Sequence, residues 1–140
     1  MSYESRRLAG ILLILLPTVI FGGASLLTLL VNDPAYAQNE LRQDLWRAGH
    51  AHAGIMLILA LIILRYIDDA KLSPGWKWIA RHAAPVAAIL LPSAFFLSVL
   101  SPDATEPNAL IYLAYLAAVI LSVGLLVLGI GLIRKPGGKP

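Results

Sequence analysis

Apolar and polar positions follow one another along this chain in long blocks. Four stretches, 8–31, 48–66, 79–100 and 109–133, run almost continuously through Leu, Ile, Val, Ala and Phe. Each is near the roughly 20 residues a helix needs to cross about 30 Å of hydrocarbon. Backbone polar groups cannot be left bare in lipid, so such spans are helices or closed barrels, and these runs lack the two-residue alternation of barrel strands. The pattern therefore predicts an all-α integral membrane protein, a four-helix transmembrane bundle that occupies residues 1–140 as one domain.

Breakers and caps divide the blocks. Within the first run, Pro17 predicts a kink and Gly22-Gly23 the close approach of a neighbour, and Asn32-Asp33-Pro34 ends the helix. Ala35-Tyr36-Ala37 has the form of a signal-peptide cleavage site, but 8–31 is longer than the usual apolar region of about 7 to 15 residues, so it is read as a retained span. Asn39 predicts an N-cap for an amphipathic helix at about 39–47 that runs directly into the second span. The segment 67–78 is short and charged, with Trp76 and Trp78 as interfacial anchors. Ala80, Ala84 and Ala88 predict a close-packing stripe on the third span, where Pro85 and Pro92 predict kinks and Ser93 and Ser98 back-bonding. Ser101 to Asn108 reads as a tight turn whose Asn108 caps the fourth span; Ala114, Ala118 and Ser122 repeat the small-residue spacing there, and 136–140 reads as a flexible tail.

Charge orients this frame. Arg6, Arg7, Arg65, Lys71, Lys77, Arg81, Arg134, Lys135 and Lys139 fall on one side, and only Arg42 and Arg47 on the other. The positive-inside rule places both termini in the cytoplasm, N-in and C-in, and makes the chain a multi-pass protein of the cell inner (plasma) membrane. With 59% hydrophobic and 14% charged residues it departs far from the soluble balance of roughly a quarter charged. The pI near 9.5 belongs to this topology and to anionic headgroups. No basic stripe with interleaved aromatics is present, so nucleic acid is excluded as a partner. Absence of cysteine removes disulfides and thiolate catalysis. Without acid or base in mid-span, a proton relay, voltage sensor or coupled carrier is disfavoured, and without an activated serine or paired carboxylates so is an enzyme.

Candidate chemistry gathers at Ala48-Gly49-His50-Ala51-His52-Ala53-Gly54. At about 100° per residue, His52 shares a stripe with Leu41, Leu45, Ala48, Met56, Leu59 and Ile63, and His50 lies on the opposite side, about 200° away. Gly49, Ala53 and Ala60 form a neighbouring seam for close helix packing. His52 is expected to face the bundle interior and point into an outer mouth formed by the first and third loops. Met56 lies one turn deeper, and Asp103, Glu106 and Asn108 stand above. Imidazole with thioether suits a soft or borderline metal such as copper, and zinc is the other ion considered. His50 and His52 reach one metal only if the helix unwinds. Haem is the remaining cofactor, since histidines on facing helices hold iron axially, but His82 belongs to the cytoplasmic end of the third span, too far from His52 for a shared haem. Against every metal reading stands a structural one, with His52 bonded to a neighbouring backbone group and His50 in the headgroup region.

The four-span layout and the stretch Arg47 to Gly54 resemble small bacterial four-span inner-membrane proteins, which implies an inner-membrane location. The function expected is a binding or accessory subunit with a histidine-containing site at the outer membrane face. A metal- or haem-linked redox component, or a small oligomeric transporter or channel using the same histidine, is the competing reading. Partners are the lipid bilayer and a homo-oligomer or larger membrane complex.

Overall fold

A computed structural model describes residues 1–134, and among them every regular element is helical. The tail at 136–140, with Lys135 before it, lies outside the described residues. Helix α1 spans Tyr3–Asn32, α2 Pro34–Ala37, α3 Glu40–Tyr66, α4 Pro74–Ser98, and α5 Leu113–Ile133, with a 3-10 turn Ala109–Tyr112 leading into α5. The four long elements are each long and apolar enough to cross a membrane. The chain is a multi-pass, all-helical membrane protein.

Caps set the boundaries. Ser2 accepts from the Ser5 amide at 3.2 Å and starts α1 ahead of its apolar run. Asp33 closes α1, and its carboxylate accepts from Ala35 and Tyr36 to start α2. Asn39 caps α3 by accepting from the Arg42 amide at 3.0 Å. The amphipathic segment and the second apolar run therefore form one unbroken helix. Pro74 occupies the first turn of α4, where its missing N–H costs nothing, so Trp76 and Trp78 lie on that helix. Ser98 donates to Phe95 O at 3.4 Å, a bond at the helix end and not to the carbonyls freed by Pro85 and Pro92.

The long helices stack side by side in the order α1, α3, α4, α5. Their main core joins Leu12 of α1, Leu57, Ala60, Ile63 and Leu64 of α3, Ala80 and Ala84 of α4, and Leu128 of α5. In lipid, helices associate through van der Waals fit rather than exclusion of water, so small residues mark where backbones meet. Ala80, Ala84 and Ala87 are completely buried. On α5 the buried small residues are Ala117, Gly124 and Gly131, whereas Ala118 and Ser122 are exposed. The expected Ala114, Ala118, Ser122 stripe is thus not the packed one, because a seven-residue spacing keeps one face of α5 against α4 and, at Gly131, against Leu72 of the α3–α4 connection. Large apolar side chains on the outside, such as Ile14, Phe21 and Ile133, face where lipid tails would be.

One end of the stack is locked by charge. The Arg81 guanidinium, 7% exposed, pairs with Glu4 of α1 and donates to Asp68 at 3.3 Å. The Ser2 amide donates to the other Asp68 oxygen at 2.7 Å, and the Lys71 amide donates to Gly131 O at 2.8 Å. These contacts bring the start of α1, the α3–α4 connection and the end of α5 to the same end of the protein, called here the Arg81 end. The other is the Arg42 end.

Candidate functional site

The two histidines of α3 turn to different neighbours. His50 faces α1. Its ring lies against Gly22 and Gly23, so close that a Cβ on Gly23 would come within 2.9 Å of Nε2. His52 faces α4. Its ring sits 5.4 Å from that of Phe95, and Nδ1 lies 2.7 Å from Ala48 O, which fixes the proton on Nδ1. Gly49, between them, is buried against Phe95 and Phe96. The glycines and alanines of the stretch thus admit a helix on each side.

His82 repeats the His52 arrangement on α4, with Nδ1 2.8 Å from Trp78 O and its ring 4.6 Å from that of Trp78. Among the described residues, His50 alone of the three histidines has no protein hydrogen-bond partner at its ring. Gly22 and Gly23 lie roughly 15 Å along α1 from its Asn32 end, at about 1.5 Å per residue. Imidazole there stands within an apolar span, where an unmatched polar group is expensive.

His50 lines a cleft of about 260 Å³ between α1, α2 and α3. Leu26, Leu27 and Leu30 of α1 form its apolar wall, and Tyr36, Gln43 and Arg47 its polar end. Gln43 is positioned by donating its amide to Tyr36 O at 3.2 Å and Ala37 O at 2.9 Å. Arg47 spans Gln43 O at 3.2 Å and the Asp44 carboxylate at 2.6 Å. Tyr36 is buried, and burial pushes its hydroxyl pKa above the ordinary value although Arg47 and Arg42 pull it down.

Behind that polar end lies a cluster the sequence reading did not single out. Arg42, 6% exposed, donates Nε to Val99 O at 3.2 Å and stacks its guanidinium 4.5 Å from the Trp46 ring and 5.9 Å from the Tyr36 ring. Trp46 donates to Phe96 O at 3.1 Å. This aromatic clamp ties α2, α3 and α4 together. Its trace in the sequence is Arg42 one turn before Trp46, both following the Asn39 cap.

The first and third loops do form a mouth at the Arg42 end, a groove of about 750 Å³ in which Asn39 donates to Pro102 O and Ala104 O, each at 3.0 Å. Asp103 lines this groove, but His52 does not. Twelve residues of helix separate His52 from the α3 start at Glu40, about 18 Å. Glu106 is exposed, and Asn108 serves as a cap, accepting from the Leu110 amide at 2.9 Å and donating to Leu97 O at 3.1 Å. Met56 is buried with Ala87 and Ala117 in the α3–α4–α5 packing. The structure brings together neither His50 with His52 nor either of them with Asp103, Glu106 and Asn108. Among the described residues, no group of three or more His, Cys, Asp or Glu is placed to hold a metal ion. His82 borders the Arg81-end cleft with Tyr3 and Glu4, far along the stack from His52.

No family model, curated protein or solved structure matches the chain.

Proposed function

We propose that the protein is a membrane-embedded binding or accessory subunit, and that its histidine site is the cleft around His50. The observation that carries this reading is an imidazole without a hydrogen-bond partner among the described residues, set in an apolar span and lining an open cleft with one polar and one apolar end. That combination fits a small amphiphile. The head, a carboxylate, hydroxyl or carbonyl, meets His50 and Arg47, and the apolar body lies along Leu26, Leu27 and Leu30. His52, with its Nδ1 engaged and its ring against Phe95, supports the α3–α4 packing that holds His50 in place. By the charge asymmetry of the loops this end faces outward from the cell inner membrane.

A diazirine-bearing decanoate applied to the purified protein tests the assignment. Crosslinks concentrated on 26–30 and 36–50, competed by excess decanoate and reduced in a His50→Gln, Arg47→Gln double variant, are expected. Uniform labelling of the lipid-facing surface that neither competitor nor variant alters would remove the site.

A further inference from the structure

At the opposite end of the stack, we infer that the cleft between α1 and α4 beside Arg81 is a binding site for the phosphate-bearing headgroup of an anionic lipid, with the Glu4 carboxylate as the internal anion the headgroup displaces. The cleft holds about 310 Å³, equal to roughly ten waters of liquid volume and at the lower edge of small-molecule sites.

Two guanidinium groups and an imidazole converge on it. Arg81 is a buried guanidinium whose Nε has no acceptor among the described residues. Its two carboxylate partners differ sharply. The Asp68 side chain is 20% exposed and held by the Ser2 amide, whereas that of Glu4 is 73% exposed and reaches in from the rim. One partner is fixed and the other exchangeable. Arg7 lines the same cleft and forms no ion pair among the described residues. His82 also lines it; Nδ1 donates to Trp78 O, so its Nε2 carries the lone pair and is left to accept from a headgroup hydroxyl such as those of phosphatidylglycerol. When Glu4 swings out, Arg81 and Arg7 present forked donors of the kind that match phosphate oxygens.

The rest of the cleft selects a lipid over a free anion. Leu8 and Ile11 continue its wall along α1 into the apolar span, giving the first acyl carbons a place below the charged groups. Tyr3 and Trp78 flank it, and such rings sit at headgroup level. Lys77 and Arg6 belong to the same end, adding to its attraction for an anionic leaflet.

The test uses the full chain purified in mild detergent, with phosphatidylglycerol and phosphatidylcholine of identical acyl chains scored by native mass spectrometry. Phosphatidylglycerol should be retained preferentially. Arg7→Gln and His82→Gln, both at accessible positions with thermal stability monitored, should each cut that preference, by about fivefold for Arg7→Gln, the ~1 kcal/mol of one basic side chain near an anionic surface converted at 1.4 kcal/mol per decade. Glu4→Gln should raise retention by removing the competing carboxylate. Equal retention of the two lipids, a preference that survives both basic variants, or a fall in Glu4→Gln would overturn the inference. Stabilisation by inorganic phosphate without lipid preference would assign the cleft to a free anion and reject the lipid.

Discussion

The imidazole of His50 rests on the backbone of Gly23, and this position leaves no room for a side chain: a Cβ on Gly23 would stand 2.9 Å from Nε2 and 3.0 Å from Cε1. Gly22 is less tight, at 3.7 Å from Nδ1. The pair therefore acts as a notch that seats the ring and aims it into the cleft.

Gly23→Ala should displace the ring without unfolding the protein. The obstructing atoms belong to the tip of a side chain that can turn about its own bonds, and alanine in a helix interior gains up to about 1 kcal/mol over glycine. Stability in a denaturing-detergent titration should thus change by less than about 1 kcal/mol, while decanoate crosslinking at 26–30 falls as it does in His50→Gln. Unchanged crosslinking would show that the ring's seat does not matter to the cleft.

Gly124→Ala should behave oppositely. A Cβ there would overlap the Ala83 Cβ, with the Ala83 Cα 3.7 Å and the Ala80 Cα 3.9 Å away, so α4 itself must move. Overpacking of this kind costs about 1–3 kcal/mol. Gly129→Ala, with nothing within 4 Å, is the matched control and should be neutral or slightly stabilising. The same titration compares them; equal stabilities would mean that α4 and α5 are not held by close backbone contact.

The fold was legible where a residue's own chemistry decides the outcome. Four apolar blocks specify four long helices, and Asn39 marks the start of α3 because an amide cap acts over three residues. What was hidden depends on partners distant in the chain. Periodicity separates the faces of His50 and His52 but does not say which helix meets each. The meeting of Gly23 with His50 comes from how α1 leans on α3, and no local rule contains that. Arg81 counted only as a charge for topology, since its partners, Glu4 and Asp68, lie in other segments. Arg42 likewise counted only as a charge for topology, because its burial depends on Tyr36 and Val99 folding over it.

Arg42→Ala should loosen the Arg42 end. It removes a charged donor from Val99 O, worth about 1.5–3 kcal/mol, and a guanidinium stacked on Trp46, worth about 0.5–2 kcal/mol. The losses overlap, so a destabilisation of roughly 2–4 kcal/mol is expected. Emission from Trp46, isolated by replacing Trp76 and Trp78 with Phe, should shift to the red as water enters. Arg42→Lys keeps the charge but not the planar stack and should recover only part of the stability. Full recovery by lysine would reduce the cluster to simple charge.

Acid should release the opposite end first. Burial alone would raise the Asp68 pKa, but the Ser2 amide, the Ser2 and Ser5 hydroxyls and Arg81 outweigh it and hold the carboxyl below its ordinary value. A pKa depressed in the folded state means that the unfolded chain binds the proton more tightly, so stability falls as pH falls. The Asp68 contribution is complete above the ordinary carboxylate pKa of about 3.9 and is lost as pH drops below it through the folded value. Wild-type protein should therefore lose stability between about pH 5 and pH 2 more steeply than Asp68→Asn, which is already weakened at pH 7. Hydrogen exchange at the Ser2 amide and the first turn of α1 reports the same release locally. Parallel acid limbs in the two proteins would mean that the lock at the Arg81 end does not depend on the Asp68 charge.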